Sequence, residues 1–374
     1  MSDKVALVRL RANNSQYDRA MRDSAKLTGD LQRGLGRFDS SKLDELGSKL
    51  TRNVTLPLAA LGGFAVKAAG TFDSVFTKMQ AWAGVTAGEV DGLKESIFAL
   101  SGETGRAPTE LAEAMYFLRS SGLDAAESME ALEASAKASA AGLGSTAVVA
   151  DAVSSAMNAY AAAGLTAAEA TDVLIATARA GKAEPEQLAQ SLGRVLPLAS
   201  ELGVTFQDVG GSIAALSLSG NDAAQASTLL TNVLSKILKP SKQGADALAD
   251  VGLSAEKLRG MIADKGLLGT LQELREKLGT SGFVKLFEDA QAVQGVLALT
   301  GQNADQVAKA FDEVNNSAGG TESAFATWAD SMGAKNSKAF ADLQVALIEF
   351  GEKLAPLAAD LLTFAASVAT AFSN

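Results

Sequence analysis

The 374-residue sequence contains neither histidine nor cysteine. The absence of cysteine excludes disulfides, thiol nucleophiles and thiolate metal sites, and the absence of histidine removes the commonest general base and metal ligand. Without histidine and cysteine, the remaining possibilities are carboxylate chemistry of the glycosidase kind, a lysine nucleophile and oxygen-ligated Mg²⁺ or Ca²⁺. The sequence contains no recognisable motif for any of them. We therefore expect no enzymatic activity, no cofactor and no metal.

Aromatic residues are scarce as well, at 5% of a chain that is 47% hydrophobic. Much of the apolar content is alanine, which favours helices and lets helix axes approach closely. The composition therefore predicts an all-α fold whose core consists of small side chains.

Negative charge exceeds positive charge, with 43 acidic and 33 basic residues and a net charge of −10. This balance argues against sequence-specific nucleic-acid binding. Residues 1–55 nevertheless carry a net charge of +4, which leaves −14 for the rest. This basic arm is either a solvated helical face or a docking site for an acidic partner; the candidate docking residues are Arg9, Arg11, Arg19, Arg22, Arg33 and Arg37.

The first residues do not resemble a secretory signal. Residues 1–10 lack the apolar stretch of a secretory signal, so we expect synthesis in a cytoplasm. Residues 4–11 are rich in valine and leucine and predict one short β-strand. The helical spacing of apolar residues between 15 and 50 then predicts an exposed amphipathic helix.

A short pattern recurs from residue 84 onward: glycine, an aliphatic residue, a capping residue and, usually, an acid three positions later. It predicts a helix end closed by a left-handed glycine, followed by a new helix with a capping box. Successive copies lie 38, 42, 39 and 49 residues apart. The five copies begin at Gly84, Gly122, Gly164, Gly203 and Gly252.

This spacing fits helical hairpins stacked as in a solenoid, but the same helix-ending and helix-starting signals also occur in irregular helical bundles. Both architectures stay open from the sequence. Trp82, immediately before the first copy, is interpreted as a buried residue of the first hairpin.

The C-terminal region carries an apolar stripe with alternating spacings of three and four, which is typical of a heptad seam. Neighbouring residues such as Ile348 and Ala358 widen the apolar face beyond a two-stranded seam, and Pro356 is expected to disturb the helix locally. Self-association, packing on the chain's own core and membrane contact through 354–372 are the three interpretations. The candidate self-association seam is Phe340, Leu343, Leu347, Phe350, Leu354, Leu357, Leu361, Phe364 and Val368.

These patterns divide the chain into three expected regions. A basic arm with a strand and an amphipathic helix covers 1–70, a helical core covers 71–333, and a long apolar amphipathic helix covers 334–374.

Taken in order, the motifs of the middle region resemble the core of bacteriophage tail tape measure proteins. Each motif is weak alone, but their succession spans about two hundred residues. Residues 221–228 depart from the family pattern, which leaves the conformation of that turn open. The matching passages include 47–51, 55–58, 110–114, 121–123, 157–160, 188–192, 199–204, 214–220, 238–240 and 248–254.

The resemblance implies a multi-copy structural protein in the tail lumen of the virion, which sets tail length during assembly and leaves during DNA ejection. Its implied partners are the major tail tube protein, distal tail or tail tip proteins and tail assembly chaperones, with host membrane contact during ejection. Such proteins usually continue well beyond 374 residues, so the chain is either a truncated product or a short ruler. The alternatives are an α-solenoid scaffold unrelated to phage tails, and a membrane-active or cell-wall-penetrating tail component.

Overall fold

The computed structural model describes the backbone of residues 56–372 and the side chains of residues 62–356. Within that range the chain forms sixteen α-helices and no strand, which confirms the all-α prediction. The expected strand at 4–11 and the six arginines of the basic arm lie outside the described residues.

Most helices are short, and the last is the longest. A π-helical turn, Ser139–Leu143, follows α4. The α-helices are α1 (Leu56–Trp82), α2 (Ala87–Thr104), α3 (Pro108–Ser120), α4 (Ala125–Ala138), α5 (Thr146–Ala159), α6 (Ala167–Ala180), α7 (Pro185–Ser191), α8 (Leu196–Glu201), α9 (Phe206–Leu218), α10 (Ala223–Leu238), α11 (Lys242–Asp250), α12 (Ala255–Phe287), α13 (Ala290–Thr300), α14 (Ala304–Asn315), α15 (Gly320–Ala329) and α16 (Met332–Phe372).

The glycine-and-cap pattern marks helix boundaries as predicted. All five glycines have φ between 68° and 92°, a left-handed conformation that closes a helix and that glycine adopts without strain. Full capping boxes start α2, α4 and α6, where Glu89, Glu127 and Glu169 reach back to the backbone N–H of the N-cap residue. Local sequence therefore sets these helix ends.

A sixth copy of the pattern lies in the passage that departs from the family. Gly220 has a φ of 92°, and Asp222 forms a capping box with Gln225 at the start of α10. The aliphatic residue of the other copies is replaced by Asn221, whose side-chain amide donates to the Leu216 carbonyl at 2.9 Å. The same turn between two helices thus forms here with an asparagine in place of the aliphatic residue.

Of the two architectures left open, the structure is an irregular bundle. In a solenoid each repeat contacts only its neighbours. Here α14 packs against α6 and α9, α15 packs against α4 and α6, and α16 packs against α2. The C-terminal helices therefore return to the first ones and close the bundle.

The centre of the bundle is α9, in which eleven of thirteen residues are buried. Two glycines make this position possible, because a Cβ at Gly210 would collide with Thr177 of α6 and a Cβ at Gly211 would lie 2.9 Å from the Phe311 ring of α14. Two neighbouring helices consequently approach the α9 backbone at van der Waals distance.

Trp82 is not the core residue that the sequence predicted, since 79% of its surface is exposed. The N–H of Val85 donates to the Met79 carbonyl at 3.3 Å, which folds Val85 back against the end of α1. Val85 is 3% exposed, so the buried apolar residue at this helix end is Val85 and not Trp82.

Three carboxylates cap helices that are distant in sequence. Glu110 accepts from the Thr146 N–H at 2.9 Å at the start of α5. Asp172, which is 8% exposed, accepts from Gly319 and Thr321 at 2.7 and 2.8 Å at the start of α15. These hydrogen bonds hold the N-terminus of one helix to the body of another.

The third remote cap is Asp208, in the fourth copy of the glycine pattern. Its carboxylate accepts from the Leu267 N–H at 3.0 Å, where Gly266 (φ 74°, ψ 175°) interrupts α12. Burial raises the pKa of Asp208 despite the lowering effect of its bonds to Leu267 and Thr205. Asp208 thus connects the central helix to the second segment of α12.

Candidate functional site

The candidate site is α16, which presents one face to the bundle and another to solvent. The bundle-facing side consists of Ala334, Ala341 and Ile348, at 0%, 2% and 2% exposure, with the buried Gly351 beside them. Their regular spacing of seven keeps them on one side of the helix. Apart from Ile348, the residues buried on this side of α16 are alanine and glycine.

The bundle-facing side of α16 lies very close to the backbones of α1 and α2. Any Cβ at Gly351 would collide with the Ala65 carbonyl of α1. A Cβ at Gly105, just after α2, would lie 2.9 Å from the Cβ of Ser337, and one at Gly102 would lie 3.1 Å from the Asp342 carboxylate. The interface with α2 is thus lined by glycine on one helix and by small or polar residues on the other.

One ion pair joins α16 to the two helices beneath it. The Lys94 ammonium of α2 lies 2.9 Å from Glu352 of α16 and 3.2 Å from Asp73 of α1, and 5.5 Å from the centre of the Phe76 ring. Burial alone would lower the pKa of Lys94, but hydrogen bonds and charge interactions with Glu352 and Asp73 outweigh it and raise the pKa. Lys94 is therefore protonated at neutral pH and shared among three helices.

The start of α16 has a separate contact with α15. The Lys338 ammonium lies 5.9 Å from the ring centre of Phe325 and 5.8 Å from that of Trp328. Cation–π contacts of this kind are modest at exposed positions, so they orient the helix rather than anchor it.

The predicted seam lies on the outward face. Phe340, Leu343 and Phe350 are 66%, 54% and 49% exposed, and Leu347 and Leu354 are half-buried. At about 100° per residue, Phe350 and Leu343 lie roughly 200° around the helix from Ile348 and Ala341. The continuation of the seam through Leu357, Leu361, Phe364 and Val368 falls on the helical backbone of α16, beyond the described side chains.

Sequence analysis included Ile348 in a widened apolar face but did not separate a bundle-facing side of α16 from the seam. The signal of the bundle-facing side is a second heptad register of alanine, isoleucine and glycine, which is weaker than a stripe of leucine and phenylalanine. Pro356 lies inside α16, where it lacks the N–H that would donate to the preceding turn.

Other features of the described residues are less distinctive. They contain no cluster of three or more acidic side chains arranged for a metal ion, and no helix among them is long and apolar enough to cross a membrane. A cleft of about 630 Å³ beside α10 is lined mainly by neutral polar side chains, with Arg194 and Asp222 as its charged residues.

Together, the closed bundle and the outward apolar face define an all-α protein whose candidate site is a helix-packing surface. Comparison with known proteins makes the class specific. The chain belongs to the family of phage-related minor tail proteins, whose family model matches residues 94–282, from within α2 to within α12.

Two curated relatives match over most of this chain. A tape measure protein of Pneumococcus phage Dp-1 is 26% identical over 339 residues, which cover 89% of this chain and 29% of the relative. A probable tape measure protein of Clostridium phage phiCD119 is 24% identical over 348 residues, which cover 88% and 37%. This chain therefore spans about a third of the length of these relatives. No solved structure matches it.

Proposed function

We propose that the chain acts as a tape measure protein, a structural component of phage tail assembly with no enzymatic role. The observation that carries this proposal is the alignment of 89% of the chain with a protein named as a tape measure protein. A helical scaffold unrelated to phage tails is disfavoured by the family to which the chain belongs.

The bundle and α16 have different tasks in this proposal. The bundle folds most of the described residues back on themselves, which makes it a poor ruler and a suitable docking or initiation module. A single straight helix gains about 1.5 Å per residue, so the 41 residues of α16 extend over about 60 Å. We assign the measuring rod to α16 and to whatever helical sequence continues it.

We assign the contacts needed for tail assembly to two regions of the chain. The outward face of α16 joins copies of the chain along the tail lumen, where the surrounding tube protein polymerises. The basic arm, through Arg9, Arg11, Arg19, Arg22, Arg33 and Arg37, docks on an acidic partner among the tube, tail tip or chaperone proteins. Synthesis in the host cytoplasm and exit with the DNA, with host membrane contact, complete this role.

Tail length is the decisive measurement. Three additional heptads inserted after Asp360 preserve the seam register and should lengthen the tail by about 32 Å; deletion of 21 residues around the same point should shorten it equally. The matched control is a 21-residue insertion after Gln302, an exposed position between α13 and α14. Electron microscopy of assembled tails should find the control length unchanged, and equal lengths for all variants would refute the ruler assignment.

A further inference from the structure

The cleft of about 630 Å³ beside α10 is bounded on its other side by α7 and the turn that follows it. On α10 the lining positions 224, 228 and 231 recur three or four residues apart, and so do positions 187, 190 and 194 on the opposite side, so each set follows one helical face. The Ser227 hydroxyl, which is buried, donates to that of Ser191 at 3.2 Å. Two polar rows therefore line the cleft across a direct contact between the two segments.

The lining of this cleft excludes ligands that bind through apolar contact. Ala224 is the only apolar side chain among the residues that form the cleft, so a lipid chain or an apolar helix would bury little apolar surface there. No aromatic ring lines it, so the apolar face of a sugar ring has no counterpart either. A ligand of this cleft has to be recognised through hydrogen bonds and charge.

Primary amides are prominent among the groups that line the cleft. Gln187 and Gln190 are exposed, and Asn232 lies on the α10 side. Asn232 donates to the Gln291 side chain at 2.8 Å, and Gln291 and Gln294 of α13 continue the row of amides into a second cleft on the neighbouring face of α10. A primary amide offers an N–H donor and a C=O acceptor, as a peptide group does, so such a row can pair with the main chain of an extended peptide whatever its side chains are.

Arg194 supplies the positive charge of the cleft. It is exposed, and no carboxylate in the described part of the chain lies within 4.0 Å of its guanidinium. Asp222, the acid of the same cleft, accepts from the Gln225 N–H at 2.7 Å in the capping box of α10. A guanidinium binds a carboxylate through two parallel hydrogen bonds, so Arg194 adds a preference for an acidic residue.

We propose that this cleft binds an extended, polar peptide segment of a partner protein. Its main chain pairs with the amides of Gln187, Gln190 and Asn232, and one aspartate or glutamate side chain binds Arg194. The proposal goes beyond the tape measure role and does not depend on it. Peptide binding is measured on the purified chain and tail length on assembled tails, so failure of either leaves the other intact.

Fluorescence anisotropy of the full chain with labelled peptides tests the charge preference. The probes are three peptides of alternating serine and asparagine that carry glutamate, glutamine or lysine at the centre. We expect the glutamate peptide to bind about fivefold more tightly than the glutamine peptide, with the lysine peptide weakest. In Arg194→Gln the glutamate peptide should lose this advantage; Arg259→Gln, at an exposed arginine of α12, is the matched control and should keep it. No binding of any peptide, or a glutamate preference that persists in Arg194→Gln, would overturn the proposal.

A second pair of variants tests the position of the peptide. Ala224→Trp fills the cleft at the second residue of α10, and we expect all three peptides to lose at least tenfold in affinity. Ala168→Trp makes the same change at the second residue of α6, which is also exposed and follows an equivalent capping box, and it should bind like the native chain. Equal affinities in the two variants would refute the proposal. Displacement of the peptide by a neutral glucose oligosaccharide would also refute it, because the cleft would then be a sugar site.

Discussion

The helices α9 and α16 both use small residues to bring backbones together, yet their surroundings differ. Six other helices, α6, α8, α10, α12, α13 and α14, surround α9, and Gly210 and Gly211 lie where α6 and α14 approach its backbone. Over the described side chains of α16, residues 332–356, one side lies against α1 and α2, and large apolar residues occupy the opposite side. Small residues thus permit helix backbones to approach closely. The number of surrounding helices decides whether the helix that carries them lies at the centre of the bundle or at its surface.

The largest effect should come from overfilling the centre. Gly211→Leu places a side chain into the Phe311 ring, and we expect a loss of about 3 kcal/mol in the free energy of unfolding, measured by urea denaturation. Gly260→Ala in α12, where nothing lies within 4 Å, is the control and should be neutral or stabilising. A stable Gly211→Leu variant would contradict the central role of α9.

A smaller loss should follow when a remote cap is removed. Asp172→Ala leaves the N–H groups of Gly319 and Thr321 without their acceptor, and we expect a cost of about 2 kcal/mol. Asp124→Ala removes an exposed local cap of α4 and should cost about 1 kcal/mol. Equal losses for the two variants would show that burial of the cap adds nothing.

The buried carboxylate of Asp208 should make stability depend on pH. Its pKa is raised by burial, so the stability it contributes is present below the ordinary carboxyl pKa of 3.8 and declines as pH rises through the raised value. Asp208→Asn keeps an acceptor for Leu267 and should gain stability relative to the native chain as pH rises, by less than about 1 kcal/mol. Urea midpoints from pH 4 to pH 8 provide the check, and a constant difference across that range would contradict it.

Substitutions on the outward face of α16 should leave the fold almost unchanged. Phe340→Ser and Leu343→Ser alter exposed side chains, and we expect changes within about 0.5 kcal/mol in unfolding free energy, together with weaker association in sedimentation. Lys335→Ser, an exposed change outside the seam, should affect neither quantity. A large loss of stability in Phe340→Ser would mean that this face belongs to the core.

Much of the fold was predictable where interactions are local. The left-handed glycines and the capping boxes involve residues within three or four positions of one another, so the helix ends that they form can be predicted from the local sequence. The prediction for Trp82 was wrong for a local reason: the chain turns at Gly84, and Val85 folds back against the end of α1.

The candidate site was predictable in part. The stripe of Phe340, Leu343 and Phe350 identified an apolar helix face, because large side chains at heptad spacing give a strong signal. Whether that face meets the chain's own core depends on the competing face, and Ala334, Ala341 and Gly351 give a weak signal because alanine and glycine occur throughout this sequence.

The sequence by itself determined the five helix boundaries at the glycine-and-cap copies, the absence of histidine and cysteine chemistry, and the existence of an apolar stripe on α16. Only the tertiary structure decided that α9 is central, that Asp172 caps a helix 147 residues away, and that the stripe faces outward. The physical reason is the range of the interactions. A capping box joins residues three positions apart, whereas remote caps and the choice between bundle and solenoid depend on contacts between segments that meet only after the chain has folded back.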